Sequence, residues 1–284
     1  MPELPDLEHI VAILNDEFAQ LRISEIEVLN PIIFRVLVSK PLDDILPGKV
    51  VQSFRRHGPF VIINLSDDLF IVVHPMLAGR FYIEQDKTGK NTAYCLRVRF
   101  DAGKSLVYHD SKQMGKIYIL RKEDLDQIPR FATQGVDVLS ADFTEAFFLN
   151  AIANTRKQVR VFLMEQETVS AIGNAYADEI LFAAGIHPKT FSYQLDAGQQ
   201  KTLYRAVDEV MAWGIEMVKN AGKPLQDKVR THMKVRNRQG EPCPVCGTTI
   251  RKAGVRGYDA FFCPKCQPPQ RSQFIDWSIQ NAGG

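Results

Sequence analysis

The segment CPVCGTTIRKAGVRGYDAFFCPKCQ constrains this chain more than any other stretch. It sets Cys243-x2-Cys246 and Cys263-x2-Cys266 sixteen residues apart. Two such pairs bring four thiolates to the corners of a tetrahedron, the closed geometry of a structural Zn²⁺ site. The intervening residues have the length of a β-hairpin. From about Val235 the chain is rich in Gly, Pro and Cys and too short to bury a core of its own, so it needs such a staple. Two disulfides are the alternative, and five cysteines without a secretory leader fit that poorly. No ligand position is left open, so one structural Zn²⁺ held by Cys243, Cys246, Cys263 and Cys266 is expected. Cys95, in the strand-like run AYCLRVRF, reads as a packing residue.

The overall net charge of +2 hides an asymmetry. Between Lys228 and Arg271 there are ten Lys/Arg and two acids, leaving 25 against 31 for the rest of the chain. A basic module on a mildly acidic body points to a polyanion, most simply nucleic acid. A solvated basic face without a partner is the bland alternative. No run of 18 apolar residues occurs, and the first residues lack the basic-then-apolar layout of a signal peptide. No membrane partner is expected. The expected location is cytoplasmic, nucleoid-associated when bound to DNA.

The 284 residues allow two domains, or one plus modules. After Pro5, the positions Leu7, Ile10, Val11, Leu14 and Phe18 recur at helical spacing. The runs VVQSFRRHGPFVIINL, LFIVVHPML, GRFYIEQ, YCLRVRF, SLVYHD and KIYIL predict strands of a sandwich or barrel. Helices then follow in DFTEAFFLNAIAN, with Asp142 as a plausible cap, in QVRVFLMEQ, and in AYADEILFAAG, closed by Gly185. A long helix is predicted from Gln199 to Lys219, stopping near Gly222. In AIGN, Asn174 sits where a helix begins. Exposed N–H groups there suit an anion, and the Asn amide adds donors; an ordinary cap with no ligand is the alternative.

MPELPDLE, IGNAYADEILF and EPCPVCG…FFCPKCQ, in that order and with LFIVVHPMLAGRF between them, resemble the formamidopyrimidine-DNA glycosylase / endonuclease VIII family of base-excision repair enzymes. The resemblance spans nearly the whole chain. It implies an α+β multidomain fold: an N-terminal helix and β-sandwich catalytic domain over 1–130, a helix–two-turn–helix DNA-binding domain over 131–234, and a β-hairpin zinc finger over 235–284. It further implies a monomer that acts on oxidised or ring-opened bases in damaged double-stranded DNA, with single-stranded DNA also open.

By the same resemblance, Pro2 becomes the amino terminus once Met1 is removed. Its secondary amine is the nucleophile that attacks C1′ of the damaged nucleotide, and Glu3 is the proton donor. The ordinary pKa of an amino terminus is near 8, and a helix N-terminus beside it is expected to favour the neutral amine. His74, Lys112, Asn174, Arg160, Arg256 and Tyr258 are candidate DNA contacts. Leu77, Lys112 and Met114 correspond to side chains that fill the space left by the extruded base. For Leu77 and Met114, a place in the core is the alternative.

Two positions depart from the family pattern. In RRHGPFVIINL, Pro59 stands where relatives carry a catalytic lysine, leaving Arg55, Arg56 or His57 as possible substitutes. In the finger, Tyr258 replaces an arginine, and Arg256 serves the phosphate only if the hairpin register differs. These changes keep other readings open: a lesion- or structure-binding protein with weak chemistry, a glycosylase for a bulky or crosslinked base, or a zinc ribbon that binds RNA or protein.

Overall fold

The computed structural model describes residues 1–85 and 94–269. The chain divides into two compact units: residues 1–134 with 217–229, and residues 135–216 with those from 230 onward.

The first unit opens with α1, Leu4–Phe18, with Pro5 in its first turn, where a missing N–H costs nothing. Its apolar stripe is Leu7, Ile10, Leu14 and Phe18, all buried. Phe18 contacts Phe54 and Phe100, with ring centroids 6.4 and 4.7 Å away. Those partners belong to two different sheets. One has the order β1-β7-β8-β6, from Ile23–Val28, Tyr94–Phe100, Lys104–His109 and Arg80–Gln85. The other runs β2-β9-β5-β4-β3, from Phe34–Val36, Lys116–Arg121, Leu69–His74, Phe60–Leu65 and Val51–His57. All pairings are antiparallel except β2 with β9. The short β2 is a strand that the apolar patterning did not single out.

The middle strands of the larger sheet are buried on both faces, which is why β4 and β5 read as continuous apolar runs. One face packs Phe60, Ile62, Phe70, Val72, Tyr118 and Leu120 under Ile128 and Phe131. Burying a side chain of this size contributes about 1.5–3 kcal/mol. The edge strand β3 is covered by α1. The Asn15 carboxamide accepts from the Phe54 N–H at 2.8 Å and donates to the Phe54 carbonyl at 2.8 Å. This closes an edge that would otherwise stay unpaired, and it pins α1, and so the chain start, to the sheet.

The second unit holds α3 (Glu145–Ala153), α4 (Val159–Leu163), α5 (Asn174–Ala183) and most of α6 (Ala197–Asn220), together with the hairpin of β10 (Arg251–Val255) and β11 (Tyr258–Phe262). The first unit also holds a four-residue helix, α2, Leu42–Ile45. The cap of α3 is Thr144, whose hydroxyl accepts from the Phe147 N–H at 3.1 Å, rather than the expected Asp142. Gly185 and Gly222, which follow α5 and α6, take φ of 67° and 56°, as helix stops require. The finger borrows its core: Phe182 of α5 packs with Val235, Ile250, Phe261 and the cysteines.

Candidate functional site

At the chain start Pro2 is buried and Glu3 is 6% exposed. Glu3 is the N-cap residue: its carbonyl accepts from the Leu7 N–H at 3.0 Å, and its own N–H donates to the Asp6 carboxylate at 2.8 Å. Pro2 and Glu3 thus stand at the positive end of α1. The segment after α6 folds back over this point within the same unit. Lys228 Nζ donates to the Met1 carbonyl at 3.4 Å, and a small enclosed space is lined by Pro2, Asp6, Gly79, Arg80, Asp227 and Lys228. The Met1 amine, which precedes Pro2 in the structure, is lowered from its usual 8.0 to about 5, first by burial and then by the Lys228 cation, with Arg80 adding to the effect and Glu3 opposing it. The shift belongs to Met1, because the Pro2 nitrogen is an amide nitrogen while Met1 is attached.

His74 ends β5 beside this cluster. Its Nδ1 accepts from the Met76 N–H at 3.1 Å, which leaves the proton on Nε2. Burial lowers its pKa to about 4, so it presents a neutral N–H donor at neutral pH.

Two loops carry the space-filling candidates. In the β5–β6 loop, Met76 has φ 50° and Leu77 is 53% exposed. In the β8–β9 loop, Asp110 accepts from the N–H groups of Lys112 at 3.1 Å and Gly115 at 2.6 Å, and Met114 is 38% exposed. The core alternative for Leu77 and Met114 therefore falls. Tyr108, 1% exposed, holds its hydroxyl between the two loops. A Cβ on Gly79 would lie 2.1 Å from that oxygen, and one on Gly115 2.2 Å. Tyr108, Asp110, Arg80 and Lys228 carry no motif signal of their own; only their neighbours in space reveal them.

The departures resolve as follows. Gly58 and Pro59 form the two-residue turn of the β3–β4 hairpin, since His57 pairs with Phe60, and Gly58 has φ 51°. Arg56 is bound to Glu8 at 2.7 Å, and His57 to the Phe131 carbonyl at 2.8 Å, while Arg55 is exposed. In the finger, Val255 pairs with Tyr258, so Arg256 and Gly257 form the turn. Tyr258 is 55% exposed at the start of β11.

In the second unit Arg160 is not a surface contact, as had been expected. It is 1% exposed, and its Nε and one terminal nitrogen are engaged within the unit. It donates to Asp178 at 2.7 Å, to the Asn174 Oδ1 at 2.9 Å and to the Asp259 carbonyl of the hairpin at 3.0 Å. A guanidinium only donates, so Asn174 must turn its oxygen toward Arg160 and its NH₂ away. Arg160 is therefore a positioning residue for Asn174, the first residue of α5. Arg236 completes the knot, donating to Asp178 at 2.7 Å and to the same Asp259 carbonyl at 3.0 Å. Glu179 accepts from the N–H groups of Lys234, Val235 and Arg236, each at 2.9 Å. Asp178 and Glu179 of one helix thus tie the finger to α5.

The four finger cysteines place their sulfurs within 4.8 Å of one another, with Cys243–Cys266 at 3.8 Å and Cys246–Cys263 at 3.5 Å. A tetrahedron with Zn–S bonds of about 2.3 Å has edges of about 3.8 Å. All are free thiols, which excludes the disulfide alternative. The four ligands fit Zn²⁺, whose part is to hold the hairpin's fold.

Similarity to known proteins runs along most of the chain. Residues 1–117 match the formamidopyrimidine-DNA glycosylase N-terminal domain, 134–224 the formamidopyrimidine-DNA glycosylase H2TH domain, and 240–269 the zinc finger found in FPG and IleRS. The formamidopyrimidine-DNA glycosylase of Pelotomaculum thermopropionicum is 30% identical, over 94% of this chain and 99% of the relative. That of Bacillus cereus is 28% identical over the same shares. Lactococcus lactis Fpg in complex with DNA containing an abasic site superposes with a TM-score of 0.85 at 26% identity, over 94% of this chain and all of that one. Its complex with DNA containing N7-benzyl-Fapy-dG gives 0.85 at 27%. With the buried terminal Pro-Glu pair, the helix-borne Asn174 and the four-cysteine hairpin all in family order, this chain belongs to the formamidopyrimidine-DNA glycosylase family.

Proposed function

We propose that the chain is a base-excision repair DNA glycosylase that removes oxidised or ring-opened bases from damaged DNA, with Pro2 as nucleophile and an associated AP lyase step. The observation that carries this is the chain start: Pro2 and Glu3 are buried together at the N-terminus of α1, with Lys228 reaching the Met1 carbonyl beside them. Most amino termini are protonated at neutral pH and cannot attack carbon. Removal of Met1 sets the Pro2 amine beside the burial and the Lys228 cation that lower the Met1 amine, and both disfavour its ammonium form.

The steps follow from that geometry. The target nucleotide leaves the stack, and Leu77 and Met114, already exposed, occupy the vacated space. The Pro2 nitrogen bonds to C1′ while Glu3 donates its proton at the sugar ring or its oxygen. The base departs with the electron pair of the broken glycosidic bond. The nitrogen, having lost its proton, forms an iminium with C1′ as the C1′–O4′ bond breaks and O4′ leaves with its electron pair, protonated by Glu3. That cation acidifies the adjacent C2′–H, and loss of this proton expels the 3′ phosphate. His74 and Asn174 donate neutral hydrogen bonds to backbone oxygens, while Lys112 supplies a charge. Zn²⁺ takes no part in the bond changes. The functional division we propose is the catalytic module 1–130, the helical DNA-binding module 131–234 and the finger 235–284, acting as a monomer in the cytoplasm on nucleoid DNA. Among the described residues no helix is long and apolar enough to cross a membrane.

One further reading has its own support. Pro59 at the β3–β4 turn and Tyr258 in the finger stem remove two cations from places where relatives carry them, which favours lesion binding with slow or absent strand cleavage.

Borohydride trapping on duplexes bearing an abasic site or an oxidised base decides between them. A covalent adduct through Pro2, lost in protein that retains Met1, is expected. Tight binding with no adduct on any duplex overturns the enzymatic reading.

A further inference from the structure

The second unit carries an open groove of about 550 Å³ between the α3–α4 loop and the tip of the zinc hairpin. Its charged lining is Arg156, Lys157, Glu165 and Arg256, with Asn154 and Thr155 beside them. Lys157 is ion-paired with Glu165 and so is locally neutralised. Arg156 and Arg256 are both exposed and make no hydrogen bond or ion pair among the described residues. Two uncompensated guanidiniums, from segments a hundred residues apart, therefore face one groove.

The backbone adds a second observation. Arg256 has φ 45° and Gly257 φ 82°, the signature of a two-residue turn with both positions left-handed. Asn-Gly is the easy sequence for that turn, and arginine is a costly choice at its first position. The Arg256 side chain is exposed, so hairpin packing does not account for that cost. What it does bring is a cation aimed from the turn, two residues away from the stem position that Tyr258 fills.

We propose that Arg156 and Arg256 together clasp one backbone phosphate of bound DNA in this groove. The planar forks of two arginines suit the oxygens of a phosphodiester, and Asn154 and Thr155 offer neutral donors at the rim. The inference rests on the DNA-repair reading above, and extends it to a phosphate site shared by the helical segment and the finger.

The test uses the zinc-loaded, full-length protein and a duplex carrying a tetrahydrofuran abasic analogue, with affinity read by fluorescence anisotropy across a salt series. Each neutralised phosphate contributes about −0.9 to the slope of log K against log salt. R156Q and R256Q are each expected to weaken binding about three- to tenfold at about 0.15 M salt and to flatten the slope by about 0.9. The double variant should flatten it no further, because one phosphate is shared. R256N should match R256Q in binding while melting no lower than wild type, which separates lost charge from a damaged hairpin. Unchanged slopes in both single variants overturn the site, as does a double variant flattened by about 1.8, which means two separate phosphates. If wild type neither prefers the lesion duplex nor forms the borohydride adduct while the slopes still change, the groove stands and the glycosylase reading fails. If the adduct forms and the slopes do not change, the reverse holds.

Discussion

The charge state of the terminal amine sets a measurable pH dependence. Lys228→Gln removes the cation that, after burial, does most to disfavour the ammonium. The Met1 amine of the unprocessed chain has a pKa of about 5; an amine there is about 97% neutral at about pH 6.5, and one at the ordinary 8.0 only about 3%. These limits span about 30-fold in the population of attacking nucleophile. Wild-type trapping through the processed Pro2 amine under single-turnover conditions should fall on acidification with a midpoint below 8, lowered by burial and by Lys228. In Lys228→Gln, burial still acts, so the midpoint should rise toward, without reaching, 8. The sign then reverses at alkaline pH. There both proteins are deprotonated, and the variant amine, being the stronger base, should react at least as fast. A variant slow by the same factor at all pH values means that Lys228 acts through packing or substrate binding. A wild-type midpoint near 8 refutes the depressed amine altogether.

Asp178→Asn should destabilise the second unit by about 3–5 kcal/mol in urea titrations and speed zinc release to a chromogenic chelator, because it leaves the fully buried Arg160 unpaired. Leu77→Ala and Met114→Ala should change stability by no more than about 0.5 kcal/mol, since both side chains are exposed. Each should still lower the fluorescence rise of 2-aminopurine placed at the flipped position. Cys246→Ser or chelation of Zn²⁺ should unfold the finger, seen as lost near-ultraviolet dichroism, and abolish DNA binding while leaving the first unit's melting transition in place. His74, held neutral with a pKa of about 4 against an ordinary 6.5, contributes stability that is full above about pH 6.5 and is lost as pH falls through 4. Acid titration of wild type against His74→Gln should show a difference confined to that window.

The elements of this protein are written in local patterns. The strand runs from Val51 to Leu120 were legible because apolar and β-branched residues cluster between Gly, Pro and Asp breaks, and α1 because its stripe repeats every three to four residues. The cysteine spacing specified a closed metal site, because four thiolates two by two leave little else to build. The Pro-Glu start and Asn174 were legible only as motifs, since neither pattern nor charge says what a single residue faces.

What remained hidden depends on distance along the chain. Arg160 looks like any exposed helical arginine until the fold buries it against Asp178, Asn174 and a hairpin carbonyl ninety-nine residues later. Lys228 lies 227 residues from the Met1 carbonyl it reaches, and nothing local ties the two. Whether Tyr258 or Arg256 forms the hairpin turn was a matter of register, which a one-residue slip would invert. Sequence alone determined most of the secondary structures and which metal suits the finger, because those follow from neighbours a few residues apart; β2, which only its pairing with β9 defines, is the exception. Tertiary structure decided which charges are buried, paired or free to meet DNA, because burial and Coulomb energy depend on separation in space.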